Sequence, residues 1–198
     1  MSFTFSRPSL RAAGTAMAFA LCIASVCSLA KAVPARDFTA LVDLSAKRLG
    51  ISRGVALTKW DTRQPVADPP NDPREKEVIA AAVDEAKRRN VPTELAAAFF
   101  SDQIEASKLM QFALMAEWRR AGTAPPERRA DLKTELRPAL DDLRARFIDE
   151  LAATQTLRDA PACRGDMART TKAYAQSRRL STLEAIALDR GLARVCGD

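Results

Sequence analysis

Apolar residues along this chain recur at spacings of three and four, and the strict alternation of a half-buried strand is absent. Between Asp37 and Gln64, Phe38, Leu41, Val42, Leu49, Val55, Ala56 and Trp60 share one broad face and predict a first helix, which Gly50 would loosen. The prolines and aspartates of Pro65–Pro73 predict a loop. A shorter helix follows over Arg74–Arg89, built on Val78, Ile79, Ala82, Val83 and Ala86, with Asn90 as its stop. Pro92 suits the first turn of a third helix reaching Arg120, whose core face carries Leu95, Phe99, Phe100, Ile104, Met110, Leu114, Met115 and Trp118. A fourth pattern joins Leu132, Leu136, Leu140, Leu143, Phe147 and Leu151. Pro138 stands inside it, so that helix is either kinked or begins after Leu132. Cys163–Ser177 and Ser181–Val195 read as two more. The expected fold is all-α, a single-domain helical bundle of about six helices with no internal repeat.

One apolar stretch breaks this rhythm. Ala16–Ala30 is continuously apolar, follows Arg7 and Arg11, and ends in the small-x-small triplet Ala30-Lys31-Ala32, with no acid before Asp37. It falls short of the ~20 residues of a membrane span. Residues 1–32 are therefore expected to be a signal peptide cleaved after Ala32, with 33–198 as the mature domain, periplasmic or secreted and without a membrane role once the signal is gone. A lipid anchor is disfavoured because Leu21 and Val26 precede Cys22 and Cys27 where a small residue is needed.

Composition changes the picture in two places. Cleavage removes three cations and no acid, so the formal charge of +6 falls to +3, too mild to argue for a nucleic-acid partner. Cys163 and Cys196 then remain as the only pair, which in an exported protein predicts a disulfide stabilising by roughly 3–4 kcal/mol. With no histidine anywhere, no metal site is expected.

Several polar residues interrupt the apolar faces. Arg48 and Lys59 are three helical turns apart, on the same side of the first helix and about 16 Å apart along its axis. Gln103, Ser107 and Gln111 form a stripe at i, i+4 and i+8 beside Phe100, Ile104 and Leu114. Each has an ordinary reading: a snorkelling cation, or hydrogen bonds between helices. Asp68 and Arg74 read by default as a helix cap and its neighbour. Taken together, these residues suggest a pocket for a small dianion lined by cations and neutral amides.

The segments LVDLSAKRLGISRGVALTKWDTRQPVAD, PREKEVI and FFSDQIEASKLMQFALMAEW resemble the secreted γ subclass of the all-helical chorismate mutases. The Lys-Trp ending the first helix, the Arg-Glu opening the second and the Phe-x-Asp-Gln-Ile of the third are the most specific parts. The C-terminal third matches more loosely, through Arg137 and the cysteine pair. The resemblance implies that Arg48 binds a substrate carboxylate and that Lys59 reaches a carboxylate and the ether oxygen. Asp68 and Arg74 would supply the loop acid and the arginine opening the second helix. Ser107, Gln111 and Arg137 would complete the set. The loop is longer than the family's usual step around Pro69–Asp72, which makes Asp72 a second candidate for the acid. Where that subclass often offers a glutamine one turn after the arginine, this chain has Glu77 and Val78.

The implied reaction is the intramolecular rearrangement of chorismate to prephenate, in aromatic amino acid biosynthesis. It needs no proton transfer, nucleophile, metal or cofactor, which agrees with a chain lacking histidine. No cofactor is expected. Catalysis would come from pinning both carboxylates in the reactive conformer and from donors aimed at the charge growing on the ether oxygen, with Lys59 and Gln111 as the catalytic pair. The resemblance favours a homodimer over a monomer. The alternative from another class is a non-catalytic exported helical binding or effector protein, distinguished by whether the cations converge on one enclosed pocket.

Overall fold

Phe38 and the 3–4 spacing that follows it drive the first helix of the computed structural model, which describes residues 36–67, 69 and 73–197. Helix α1 (Thr39–Thr62) is uninterrupted at Gly50, where an added Cβ would meet nothing within 4 Å. The Asp37 carboxylate accepts from the Thr39 amide at 2.9 Å, and Arg63 closes the other end in the left-handed conformation. Helices α2 (Arg74–Arg88) and α3 (Thr93–Ala121) match their expected spans, except that Pro92 caps α3 from outside its first turn. Gly122, at φ 75°, ends α3 in a conformation that costs glycine little.

Pro138 is accommodated by a change of helix type. A π-helical turn, Leu132–Leu136, carries the i→i+5 bond from the Leu136 amide to the Asp131 carbonyl at 3.0 Å. Helix α4 (Arg137–Ala153) then starts with Pro138 in its first turn, where the missing N–H breaks no bond. The single-turn α5 (Gln155–Arg158) raises the expected six or so α-helices to seven among the described residues. Helices α6 (Cys163–Arg178) and α7 (Thr182–Leu192) complete the chain, the latter opened by a capping box between Ser181 and Glu184. The described residues contain helices and no strand, as expected.

The main core lies where α1, α3, α4 and α7 meet. Phe99, Phe100 and Phe147 form an edge-to-face trio with ring centroids 5.1–5.9 Å apart, fixing α4 against α3. A second cluster joins the C-terminal halves of α1 and α3: Ala56, Leu57, Leu114, Met115 and Trp118 pack with Val66 from the loop, and Trp60 meets Trp118 edge-on at 5.9 Å. Cys163 and Cys196 form the expected disulfide, with Cα atoms 5.7 Å apart, and tie the start of α6 to the segment after α7. Helix α7 is clasped to α3 by Arg190, which bonds the buried carboxylate of Asp102; Arg194, just beyond α7, bonds the same carboxylate.

No described helix is long and apolar enough to cross a membrane. The expected signal peptide lies outside the described residues.

Candidate active site

Helices α1, α2, α3 and α4, with the loop after α1, line a half-open cavity of about 460 Å³. Arg48 and Lys59 from α1, Arg74 from α2, Ser107 and Gln111 from α3 and Arg137 from α4 all border it. Asp68 and Asp72, the two candidates for the loop acid, lie outside the described residues. Val55, Val78, Phe100, Ile104 and Leu140 supply the apolar part of the wall. The cavity therefore has one face able to hold charge and another suited to a carbon ring.

Arg48 occupies the most demanding position. Its side chain is 7% exposed, and its Nε donates a long bond of 3.5 Å to the Gln103 carbonyl. Among the described residues no acid pairs with it. Burial, and secondarily the charge of Arg74, lowers its pKa to about 10. It is still cationic at neutral pH, so the fold holds a desolvated positive charge at the cavity wall.

Lys59 is placed by the end of its helix. Arg63 takes the left-handed cap, the chain turns back, and the Gln64 amide bonds the Lys59 carbonyl at 2.9 Å. Val66 then buries itself in the second core cluster, and its carbonyl accepts from Lys59 Nζ at 2.7 Å. That contact steers the ammonium toward the cavity instead of solvent. Arg74 opens α2, whose positive dipole end adds to its charge, and Arg137 stands where the π-helical turn passes into α4.

The polar stripe on α3 divides. Gln103 is fully enclosed and does not border the cavity; its amide donates to Ser45 Oγ at 3.0 Å and to the Gly191 carbonyl at 2.8 Å. It is the ordinary interhelix network. Ser107 shares a short hydrogen bond with Ser52 of α1. Gln111 is 5% exposed, and its Oε1 is buried without a hydrogen-bond partner, an arrangement that a bound polar molecule would relieve.

Four charged wall residues were not anticipated. Glu75 and Lys108 form one ion pair across α2 and α3, and Asp141 and Arg144 form another on α4. Arg144 also approaches the buried Glu85 of α2 at 3.5 Å, which links α2 and α4 behind the cavity. A lone charge on a helix gives no sequence signal for such placement.

Among the described residues, a cavity lined by cations on one side and by apolar side chains on the other is suited to a small anion that carries a carbon ring. The sequence comparisons narrow that reading. The family model of chorismate mutase type II matches residues 39–112. The secreted chorismate mutase of Mycolicibacterium smegmatis is 30% identical over 167 residues, covering 84% of this chain and 90% of that protein. Its counterpart from Mycobacterium tuberculosis is 28% identical over 169 residues, covering 85% and 82%. The crystal structure of chorismate mutase from Burkholderia phymatum superposes with a TM-score of 0.77 at 40% identity, covering 81% of this chain and 96% of that one. The chain belongs to the chorismate mutase type II family, whose members are isomerases.

Proposed function

We propose that this cavity is where the chain performs the chorismate mutase reaction, and that the residues around it act by holding the substrate and meeting its developing charge. In the reaction the ether C–O bond breaks while a C–C bond forms elsewhere in the same molecule. Electrons move in a ring, and no proton is transferred. Two things remain for a protein to do: fix the chair-like conformer and stabilise the negative charge that grows on the ether oxygen. Arg48 takes one carboxylate. Arg74 and Arg137 take the other from the ends of α2 and α4. Lys59 and Gln111 donate to the ether oxygen, and Ser107 and a loop acid, Asp68 or Asp72, complete the polar shell.

The observation that carries this reading is Arg48, a buried cation on the wall of the cavity with no acid partner among the described residues. A fold keeps such a charge at a cost unless an anion comes to meet it. The orphan oxygen of Gln111 supports the same view, since a donor in the ligand or a rotated amide would satisfy it.

The protein is further proposed to act outside the cytoplasm, after removal of residues 1–32. The export-signal pattern of that segment, the cystine and relatives that carry the word secreted in their names support this.

The test follows chorismate consumption and prephenate formation with the purified, oxidised protein. A rate far above the spontaneous one is expected. Lys59→Ala should lower kcat by about 10²–10³-fold, the usual cost of losing one transition-state donor, with the helical circular dichroism unchanged. A folded sample that gives no acceleration would instead make the chain a non-catalytic binder.

A further inference from the structure

The hydroxyl of Ser107, on the cavity wall, is held from behind. Ser52 Oγ of α1 shares a hydrogen bond with Ser107 Oγ of α3 and lies 3.1 Å from the Arg48 carbonyl oxygen. Ser52 is 1% exposed and does not border the cavity, so a ligand there would not touch it. The contact stands one turn further along both helices from the bond between Arg48 Nε and the Gln103 carbonyl. Arg48 and Ser107 are thereby fixed side by side where α1 packs on α3.

The two hydroxyls carry two protons, which can be arranged in two ways. If Ser52 donates to the Arg48 carbonyl, Ser107 must donate to Ser52, and Ser107 turns only lone pairs toward the cavity. If Ser52 donates to Ser107 instead, the Ser107 proton is released toward the cavity. This second arrangement strands no group, because the Arg48 carbonyl already accepts the Ser52 amide within the helix. An ionised carboxylate has acceptors only, so a bound carboxylate selects it.

We propose that Ser52 is a positioning residue that donates to Ser107 when substrate binds, so that Ser107 in turn donates to a substrate carboxylate beside Arg48. The inference rests on the cavity being the chorismate site. Without Ser52, the Ser107 hydroxyl would turn to the Gln103 carbonyl one turn back on its own helix, as helical serines do, and its donor would leave the cavity.

The experiment is a double-mutant cycle on the oxidised protein, with kcat and KM measured on chorismate for Ser52→Ala, Ser107→Ala and the pair together. A hydrogen bond to a carboxylate is made in the ground state and the transition state alike, so its loss should appear in KM. Ser107→Ala should raise KM about tenfold and Ser52→Ala about fivefold, each leaving kcat within about twofold. The double variant should match Ser107→Ala within about twofold. Alanine is the better helix former, so all three should melt no lower than the parent. Ser52→Cys, whose thiol is a weak donor, serves the cycle if the alanine variant fails to fold. Penalties that multiply in the double variant would overturn the proposal, because Ser52 would then act without Ser107. A loss carried by kcat, or an unchanged KM in Ser52→Ala, would also overturn it. Arg48→Ala separates the two levels of inference. If it and Ser107→Ala raise KM while Ser52→Ala is silent, only the positioning role fails; if all three are silent, the assignment of the cavity fails with it.

Discussion

Replacing Arg48 by methionine separates what the residue does for the fold from what it does for the ligand. The side chain is 7% exposed, and burial together with Arg74 lowers its pKa to about 10. That value lies well below the ordinary arginine range, so the folded state disfavours the charge by about 3 kcal/mol, at about 1.36 kcal/mol per pH unit. The only hydrogen bond lost among the described residues is the 3.5 Å contact to the Gln103 carbonyl, worth less than about 1 kcal/mol at that length. Methionine fills most of the same space without a charge, so Arg48→Met should stabilise the unliganded protein by about 2 kcal/mol. For a domain of this size that is about 4–8 °C in Tm. The same change should raise KM for chorismate and reduce the thermal shift that the ligand produces in the parent.

The sign of the pH dependence is fixed as well. Because the folded pKa of this base lies below the unfolded one, the penalty is fully present at every pH below about 10 and is relieved only as pH rises through that value. The Tm advantage of Arg48→Met should therefore be flat between pH 5 and 8. Far-UV thermal melts with the cystine intact would measure both effects. A variant that melts at or below the parent temperature, with native helix content, would refute the claim that Arg48 is held at a cost.

Two further outcomes are expected. Gln111 donates through an amide at any pH, so kcat/KM of the parent should not fall between pH 5 and 8 for want of a protonated group there, whereas Gln111→Glu should lose at least about tenfold across that range as its carboxyl ionises; a pH–rate profile on folded protein decides it, and a steep loss in the parent would remove Gln111 from its role. Breaking the cystine by Cys196→Ser opens a loop whose ends are 33 positions apart, which costs roughly 3.5–4 kcal/mol on the chain-entropy estimate and about 7–15 °C in Tm; a melt unchanged from the parent would show that the bond constrains nothing.

Much of the fold was legible because its helices are long and strongly periodic. Leu132 to Leu151 shows where the reading stopped: Pro138 signalled a disturbance, but only packing decided that a π-helical turn would absorb it ahead of α4. The single turn of α5 has too few residues to display a period. In the cavity, the eleven-residue spacing of Arg48 and Lys59 was enough to put them on one side of α1, and both border the same space. The stripe on α3 was ambiguous for a physical reason, since an amide on an apolar face can serve a neighbouring helix or a ligand. Gln103 serves α1 and α7, while Ser107 and Gln111 reach the cavity. Lys108 and Glu75 stayed invisible because a charged residue on a helix surface looks the same whether water or another helix lies opposite.

The clasp between α3 and α7 bears on the order in which the molecule can be made. Asp102 is 1% exposed, and its carboxylate is met by Arg190 and Arg194, which lie 88 and 92 residues downstream. A ribosome-borne chain that has not yet reached those arginines would have to bury that carboxylate bare or leave the middle of α3 open. The helix that carries Ser107 and Gln111 therefore cannot settle early. If the chain is exported as proposed, such a late-arriving counter-ion would keep the nascent form loose and would delay a competent mutase until translocation is all but finished.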